Sequence, residues 1–218
     1  MLQLFLDYFL HIDKHLDQLV ASAGGWSYVV LFVVIFCETG LVVTPILPGD
    51  SLLFAAGAIA ARGDSINIHL LAIALMAAAI LGDGVNYYVG SRLGLKVFDN
   101  PKSRIFKRNY LERTQRFYER YGGKTIILAR FVPIVRTFAP FLAGVGTMTY
   151  ARFAMYNVAG AVLWVAIVLY SGYFFGGIPI IKNNFTLVVL GIIFVSILPA
   201  LVGATRGFLE SRRTSAAA

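Results

Sequence analysis

Long stretches without a single charge constrain this sequence more than any other feature. None of the residues from Phe153 to Ile181, or from Asn183 to Thr205, is charged, and either run exceeds the about 20 apolar residues that cross a bilayer. Over all 218 residues, 58% are apolar and only 14% are charged, against about 25% charged residues in soluble domains. A soluble enzyme is therefore not expected, and the sequence predicts one integral membrane domain.

We predict an all-α polytopic helical bundle that occupies residues 1–218 as a single membrane domain. A third span, from Ile66 to Gly90, is interrupted only by Asp83. In chain order the predicted segments are an amphipathic interfacial helix (1–22), a span plus a first re-entrant segment (26–61), a span (66–90), a basic linker (91–124), a second re-entrant hairpin (125–151), two spans (153–181 and 183–205) and a tail (206–218).

Two apolar stretches do not fit simple crossings. Residues 26–61 are too many for one span and too few for two, and residues 125–151 carry prolines in mid-segment. Proline removes a backbone donor and disfavours helix in the residue before it, and irregular backbone at membrane depth needs cover from protein or a water-filled cavity. We therefore predict two re-entrant hairpins, with breaks at Pro45, Pro48, Gly49, Pro133 and Pro140.

The charge distribution predicts the topology. The connection from Arg92 to Lys124 holds ten basic and three acidic residues, which marks it as cytoplasmic. The N- and C-termini then also lie in the cytoplasm, and the two hairpins enter from opposite faces as an inverted repeat, a pattern that indicates a midplane binding site. Nucleic acid, the other partner of basic runs, is not expected between two membrane-sized apolar segments.

Four charged residues lie in the two broken stretches, namely Glu38, Asp50, Arg130 and Arg136. A charge at the bilayer centre costs about 2.5–3.5 kcal/mol, so such residues pair with one another, and two structural salt bridges are one explanation. Because arginine suits bidentate recognition of phosphate, we favour Arg130 and Arg136 as substrate-binding residues. Glu38 and Asp50 are then the proton-coupling and gating acids, which pair with these arginines when the site is empty.

Other polar residues in the sequence do not indicate a further functional site. Asp83 lines the same cavity or plays a structural role, and the structural role is preferred. The single Cys37 excludes an internal disulfide. His11 and His15 share a helical face, but a third ligand is missing nearby, so neither a metal nor a cofactor is predicted.

Several motifs together resemble the DedA family of bacterial inner-membrane proteins, which carry the VTT domain. The motifs are Phe36-Cys-Glu-Thr-Gly40, Pro45-Ile-Leu-Pro-Gly-Asp-Ser-Leu-Leu53, Gly82-Asp83 with Tyr87 and Gly90, Gly123-Lys-Thr-Ile-Ile-Leu-Ala-Arg-Phe-Val-Pro133 with Arg136, and Asn157-Val-Ala-Gly160 with Trp164. One departure is Ser91, where similar proteins commonly have arginine; here the arginine follows one place later, at Arg92.

The resemblance implies two facing re-entrant hairpins, kinship with eukaryotic lipid scramblases, and lipid transport linked to the proton motive force. It makes undecaprenyl phosphate the best-supported substrate class, and it matches Glu38, Asp50, Arg130 and Arg136 to functionally important positions of the family.

Three functions remain as hypotheses. The first is a flippase that moves undecaprenyl phosphate or a related anionic phospholipid across the inner membrane, with membrane lipids and protons as partners and an oligomer possible. The second is a proton-coupled antiporter of small ions or drugs. The third is a lipid-phosphate phosphatase or transferase. Pro48-Gly-Asp-Ser51 resembles a phosphate loop but lacks the following arginine, so we predict that the protein is not an enzyme.

Overall fold

The computed structural model describes residues 24–41, 49–63, 66–93, 122–146, 148–179, 181, 184, 187–188 and 190–192. In this part of the chain the regular elements are all α-helices, which confirms the predicted all-α class. They are α1 (Trp26–Gly40), α2 (Gly49–Ala60), α3 (Ile68–Leu93), α4 (Lys124–Ala129), α5 (Pro133–Val145) and α6 (Tyr150–Phe175). The predicted segments 1–22 and 206–218, and most of 91–124 and 183–205, lie outside the described residues.

Two of these helices are long and apolar enough to cross a membrane, α3 and α6, each with 26 residues. At 1.5 Å per residue each is about 39 Å long, more than the about 30 Å of a hydrocarbon core. Both expose large apolar side chains, such as Ile73 on α3 and Met155 on α6, as lipid-facing helices do. They correspond to the spans predicted at 66–90 and 153–181, although α6 already ends at Phe175 because two glycines and Pro179 follow.

The break predicted at Pro133 separates two helices. α4 ends at Ala129, residues 130–132 form a turn, and Pro133 is the first residue of α5, where its missing N–H leaves no helical bond unmade. The break predicted at Pro140 is wrong, because Pro140 lies inside α5. Packing of α5 along α3 holds the helix together across a residue that costs about 3 kcal/mol in an isolated helix.

The predicted segment 26–61 forms two separate helices. α1 has 15 residues and α2 has 12, so each is shorter than a full crossing. Gly49 is the first residue of α2, whereas the predicted breaks at Pro45 and Pro48 lie outside the described residues. α1 packs on α3, and the two helices cross closely where Gly40 meets Gly82.

α2 packs against α6 through reciprocal glycine contacts. A Cβ added at Gly57 of α2 would overlap the carbonyl oxygen of Leu169, and one added at Gly172 of α6 would overlap the carbonyl oxygen of Phe54. Each helix therefore contributes a glycine and, three residues before it, a carbonyl that fits against the other helix. Glycine at both places permits a backbone approach that a side chain would block.

The crossing of α5 with α3 repeats this arrangement. Gly144 of α5 lies against the carbonyl oxygen of Tyr87, and Gly90 of α3 lies against the carbonyl oxygen of Phe141. The sequences match too, since Phe-Ala-Ala-Gly at 54–57 corresponds to Phe-Leu-Ala-Gly at 141–144. Each short helix thus packs on the long helix of the other half of the chain. Asp50 and Arg136 lie near the start of α2 and α5, before these contacts.

Candidate functional site

Arg136, in the first turns of α5, collects both acids of the first broken stretch. Its Nη2 atom pairs with Glu38 Oε1 of α1, and its Nη1 atom lies 3.3 Å from Asp50 Oδ1 of α2. Three helices from both halves of the chain therefore meet at one guanidinium. The structure brings together three of the four residues that the sequence singled out.

The two acids differ in their surroundings. The side chain of Glu38 is 1% exposed, and its Oε1 also accepts a hydrogen bond of 3.0 Å from the N–H of Gly49, at the start of α2. A Cβ at Gly49 would overlap this carboxylate, so glycine is required there to admit it, and the helix N-terminus favours its negative charge. The Asp50 side chain is 20% exposed, which leaves it open on one side.

Trp164 of α6 joins Asp50 to Arg136. Its Nε1 donates a hydrogen bond of 2.7 Å to Asp50 Oδ1, and the Arg136 guanidinium carbon lies 5.2 Å from the centre of its ring, within cation–π range. The same carboxylate oxygen therefore accepts from Trp164 and lies against Arg136. In the sequence, Trp164 stood out only as part of the family resemblance.

Arg130 has other partners. It lies in the turn after α4, with its Nη2 2.5 Å from Asp83 Oδ2 of α3 and 2.5 Å from Asn157 Oδ1 of α6. Gly160 leaves room for its stem, because a Cβ there would lie 3.0 Å from Arg130 Cδ. The expectation that Arg130 pairs with Glu38 or Asp50 is wrong, since two other helices supply its acceptors.

Buried amides complete the cluster. The sequence reasoning did not single out Asn86, and it included Asn157 only in a motif of the family resemblance. Asn157 also donates to the carbonyl of Ile80 at 3.0 Å. Asn86 donates to the carbonyls of Thr39 and Thr137 at 3.3 and 2.7 Å, which ties α1 and α5 to α3. The available signal was an amide side chain inside a predicted membrane span. Such an amide needs hydrogen-bond partners from other helices, because burying it without partners is costly.

Two cavities meet at Trp164. The inner one, of about 10 Å³, is lined by Thr39, Asp83, Arg130, Arg136 and Trp164, so Asp83 shares it with both arginines. The outer groove, of about 500 Å³, has Asp50 and Trp164 at its polar part and apolar residues such as Phe131, Ile167 and Ile192 elsewhere. The inner cavity holds about one water-sized sphere, whereas the groove has the size of a ligand pocket, about 300–1,000 Å³.

Two deeply buried polar atoms of the cluster, Glu38 Oε2 and Arg130 Nε, have no hydrogen-bond partner among the described residues. Such atoms are rare in folded proteins and retain bonding capacity for a ligand or water. Within the same residues, no group of three or more His, Cys, Asp or Glu side chains is placed to hold a metal ion.

The chain is similar to known membrane proteins over nearly all its length. The family model of the VTT domain matches residues 47–174. Protein DedA of Escherichia coli K12 is 58% identical over 202 residues, 92% of each chain. An uncharacterized membrane protein of Mycobacterium tuberculosis is 45% identical over 84% of this chain and 80% of its own.

A more distant relative, the inner membrane protein YqjA of Escherichia coli K12, is 35% identical over 73% of this chain and 72% of its own. No solved structure gave a significant match. The matched region contains Asp50, Asp83, both arginines and Trp164, whereas Glu38 precedes it. By the match to the domain model and the identity over almost the whole sequence, the chain belongs to the DedA family of membrane proteins.

Proposed function

We propose that this protein is a transporter that moves an anionic lipid, undecaprenyl phosphate or a related phospholipid, across the bacterial inner membrane with proton linkage. The observation that carries the proposal is Arg136, a buried guanidinium that lies between two acids and beside a groove with largely apolar walls. A permanently charged, planar donor suits a phosphate headgroup, and the groove suits the apolar tail. In this proposal the protein performs no catalysis.

The two short helices support an anionic substrate. α2 and α5 both begin at the cluster, at Gly49 and Pro133, and helix N-termini favour negative charge. Half-helices that direct these ends at a midplane site are a feature of inverted-repeat transporters. The matched glycine crossings of α2 with α6 and of α5 with α3 support such a repeat, with α2 and α5 as parts of hairpins that enter from opposite faces.

In this proposal both arginines bind the headgroup in sequence. Arg136 lies next to Asp50, the more exposed acid, and so is reached first. Arg130 lies deeper and becomes available only when Asp83 and Asn157 give way. Since the inner cavity of about 10 Å³ is too small for a phosphate group, transport requires that the helices around it separate.

The charge count favours proton linkage. Three carboxylates, Glu38, Asp50 and Asp83, face two guanidiniums, so the fully ionised cluster carries one excess negative charge in a poorly solvated place. An unpaired charge at this depth is costly, and one bound proton removes it. A phosphate that displaces Asp50 from Arg136 adds negative charge, so proton uptake accompanies lipid binding.

The same excess acid favours a second candidate, a proton-coupled antiporter of small ions or drugs. Such a protein would use the carboxylates without any lipid. The arginines argue against direct coordination of cations, since they place positive charge on every acid of the cluster.

The test is headgroup exchange of labelled undecaprenyl phosphate in proteoliposomes, with and without an imposed pH gradient and with phosphate release recorded in parallel. We expect exchange that responds to the gradient, without phosphate release. Glu38→Gln and Asp50→Asn should exchange lipid without responding to the gradient, because each fixes one protonation state.

Proton movement without lipid exchange would favour the antiporter, and phosphate release would identify an enzyme. An exchange rate that ignores the gradient in the parent and both variants would leave an uncoupled scramblase.

The proposed topology is tested at the two ends of α3. On a Cys37→Ser background, a cysteine at Gly63 should react with an impermeant reagent applied to intact cells, and one at Leu93 should react only after the membrane is opened. Both positions are exposed, and the reason for their sidedness is the positive charge that follows α3. Labelling of both cysteines from outside would refute the prediction of inverted hairpins and the prediction that both termini lie in the cytoplasm.

A further inference from the structure

Asp50 lies both in the charge cluster and in the lining of the groove beside Trp164, and its Oδ1 atom indicates a position for an oxygen of an anionic ligand. Asp50 Oδ1 accepts from Trp164 Nε1 at 2.7 Å and lies 3.3 Å from Arg136 Nη1. A carboxylate oxygen held by an indole N–H and a guanidinium is in the position that a phosphate or carboxylate oxygen of a ligand would take. Asp50 thus resembles a bound anion that is tethered to the protein.

Of the two acids on Arg136, Asp50 is the one that a ligand can replace. Its side chain is 20% exposed and lines the groove, and its contact with Arg136 is a single one at 3.3 Å. Glu38 is 1% exposed and is also held by the N–H of Gly49. A ligand that arrives through the groove therefore meets Asp50 first, while Glu38 stays in place behind Arg136.

The rest of the groove is suited to a hydrocarbon chain. Its apolar lining includes Phe131, Ile167, Val168 and Ile192, with Ser171 as a small residue among them. Phe131 and Ile167 also belong to the exposed apolar surface, which in a membrane protein contacts lipid. A free anion such as inorganic phosphate makes no apolar contact with this wall, whereas the tail of an amphiphile packs along it by van der Waals contact while its headgroup reaches the cluster.

We propose that the groove and the cluster form one two-part site for an anionic amphiphile. The hydrocarbon chain lies along the groove, and a headgroup oxygen replaces Asp50 Oδ1 between Arg136 Nη1 and Trp164 Nε1. The assignment adds Trp164 as a headgroup donor and the α6 face around Ser171 as the tail site. It rests on the proposed function for the ligand class, but its test measures binding and not transport.

Trp164 is itself the reporter. The sequence has two tryptophans, so Trp26→Phe leaves Trp164 alone, and bromine on an alkyl chain quenches tryptophan fluorescence on contact. In phosphatidylcholine nanodiscs, a brominated alkyl phosphate should quench Trp164 saturably, whereas the brominated alkyl trimethylammonium of equal length should give only unsaturable quenching. Inorganic phosphate should not compete at the concentrations at which unlabelled alkyl phosphate does.

Three variants and one control, all in this single-tryptophan background, separate the two parts of the site. Arg136→Gln should raise the half-saturating concentration by about tenfold or more, the loss expected for one hydrogen bond to a charged group. Asp50→Ala should lower it, because the tethered competitor is gone. Ser171→Phe fills the groove and should abolish saturation, whereas Val162→Phe, nine residues earlier and about 180° around the same helix, is exposed and should bind like the parent.

Equal quenching by the two brominated amphiphiles, or saturation that survives Ser171→Phe, would overturn the site. So would competition by inorganic phosphate at the potency of the alkyl phosphate, because the chain would then contribute nothing. Lipid exchange measured on the same preparations separates the two proposals. Binding without exchange keeps the site and refutes the transporter, whereas exchange that is unaffected by Ser171→Phe keeps the transporter and refutes the site.

Discussion

The two buried arginines belong to the same cluster but lie in contrasting surroundings. Arg130 is 4% exposed and holds Asp83 and Asn157 on two long helices. Arg136 is 9% exposed, and one of its partners, Asp50, opens onto the groove. Arg130 thus joins α3 to α6, whereas Arg136 joins the short helices to a surface that a ligand can reach.

The difference shows that two buried arginines of one cluster can differ in access, since one is enclosed between helices and the other has a partner that lines a groove. The sequence placed both arginines around the Pro133 break and treated them alike. The structure separates them because Arg130 lies in the turn before α5, directed towards α6, and Arg136 lies one turn into α5, directed towards α1 and α2.

The largest expected effect is on stability, at the partner of each arginine. Asp83→Ala leaves Arg130 as a buried charge without its acid, which costs about 3–5 kcal/mol. Asp50→Ala should cost less, about 1–3 kcal/mol, because it removes the hydrogen bond from Trp164 and the 3.3 Å contact with Arg136 at a partly exposed site, whereas Arg136 keeps Glu38. Thermal unfolding of purified protein in detergent measures both. Equal losses of stability in the two variants would mean that the different burial of the two arginines has no effect on stability.

Replacing each arginine by lysine sharpens the comparison. Arg136→Lys should slow lipid exchange by about tenfold or more and lower thermal stability moderately, because an ammonium keeps the charge beside Glu38 but loses the planar fork that spans both acids. Arg130→Lys should lower exchange and cause the larger loss of stability, since Arg130 is the more deeply buried and its partners Asp83 and Asn157 lie on two long helices. Exchange in proteoliposomes and thermal unfolding of the same preparations give the two readouts. Full exchange by both variants would refute bidentate recognition of phosphate.

A smaller effect is expected at the glycine beside Arg130. Gly160→Ala places a Cβ 3.0 Å from Arg130 Cδ, and the arginine cannot move aside because Asp83 and Asn157 hold it. We expect a loss of about 1 kcal/mol, the lower end of overpacking costs. Gly84→Ala in α3 is the matched control, since its Cβ meets nothing within 4 Å, and it should unfold at or above the parent temperature. A Gly160→Ala protein as stable as this control would show that Arg130 is not held rigidly.

Some features could be predicted from the sequence because they depend on local chemistry. Apolar stretches of spanning length predict α3 and α6, and a proline after an arginine-bearing apolar segment predicts the break before α5. The prediction of a break at Pro140 was wrong because the helix there depends on packing against another helix and not on local chemistry. A helix that packs along a neighbour tolerates an internal proline that an isolated helix does not, and the sequence around Pro140 does not show that neighbour.

By itself, the sequence determined that this is a helical membrane protein of the DedA family and which charged residues lie within its apolar stretches. Only the tertiary structure decided the partners of each arginine. Arg136 pairs with both Glu38 and Asp50, whereas Arg130 contacts Asp83 and Asn157. The physical reason is that an ion pair depends on distances of 3 to 4 Å between side chains far apart in the chain. Those distances follow from how α2 crosses α6 and α5 crosses α3, which local sequence chemistry does not specify.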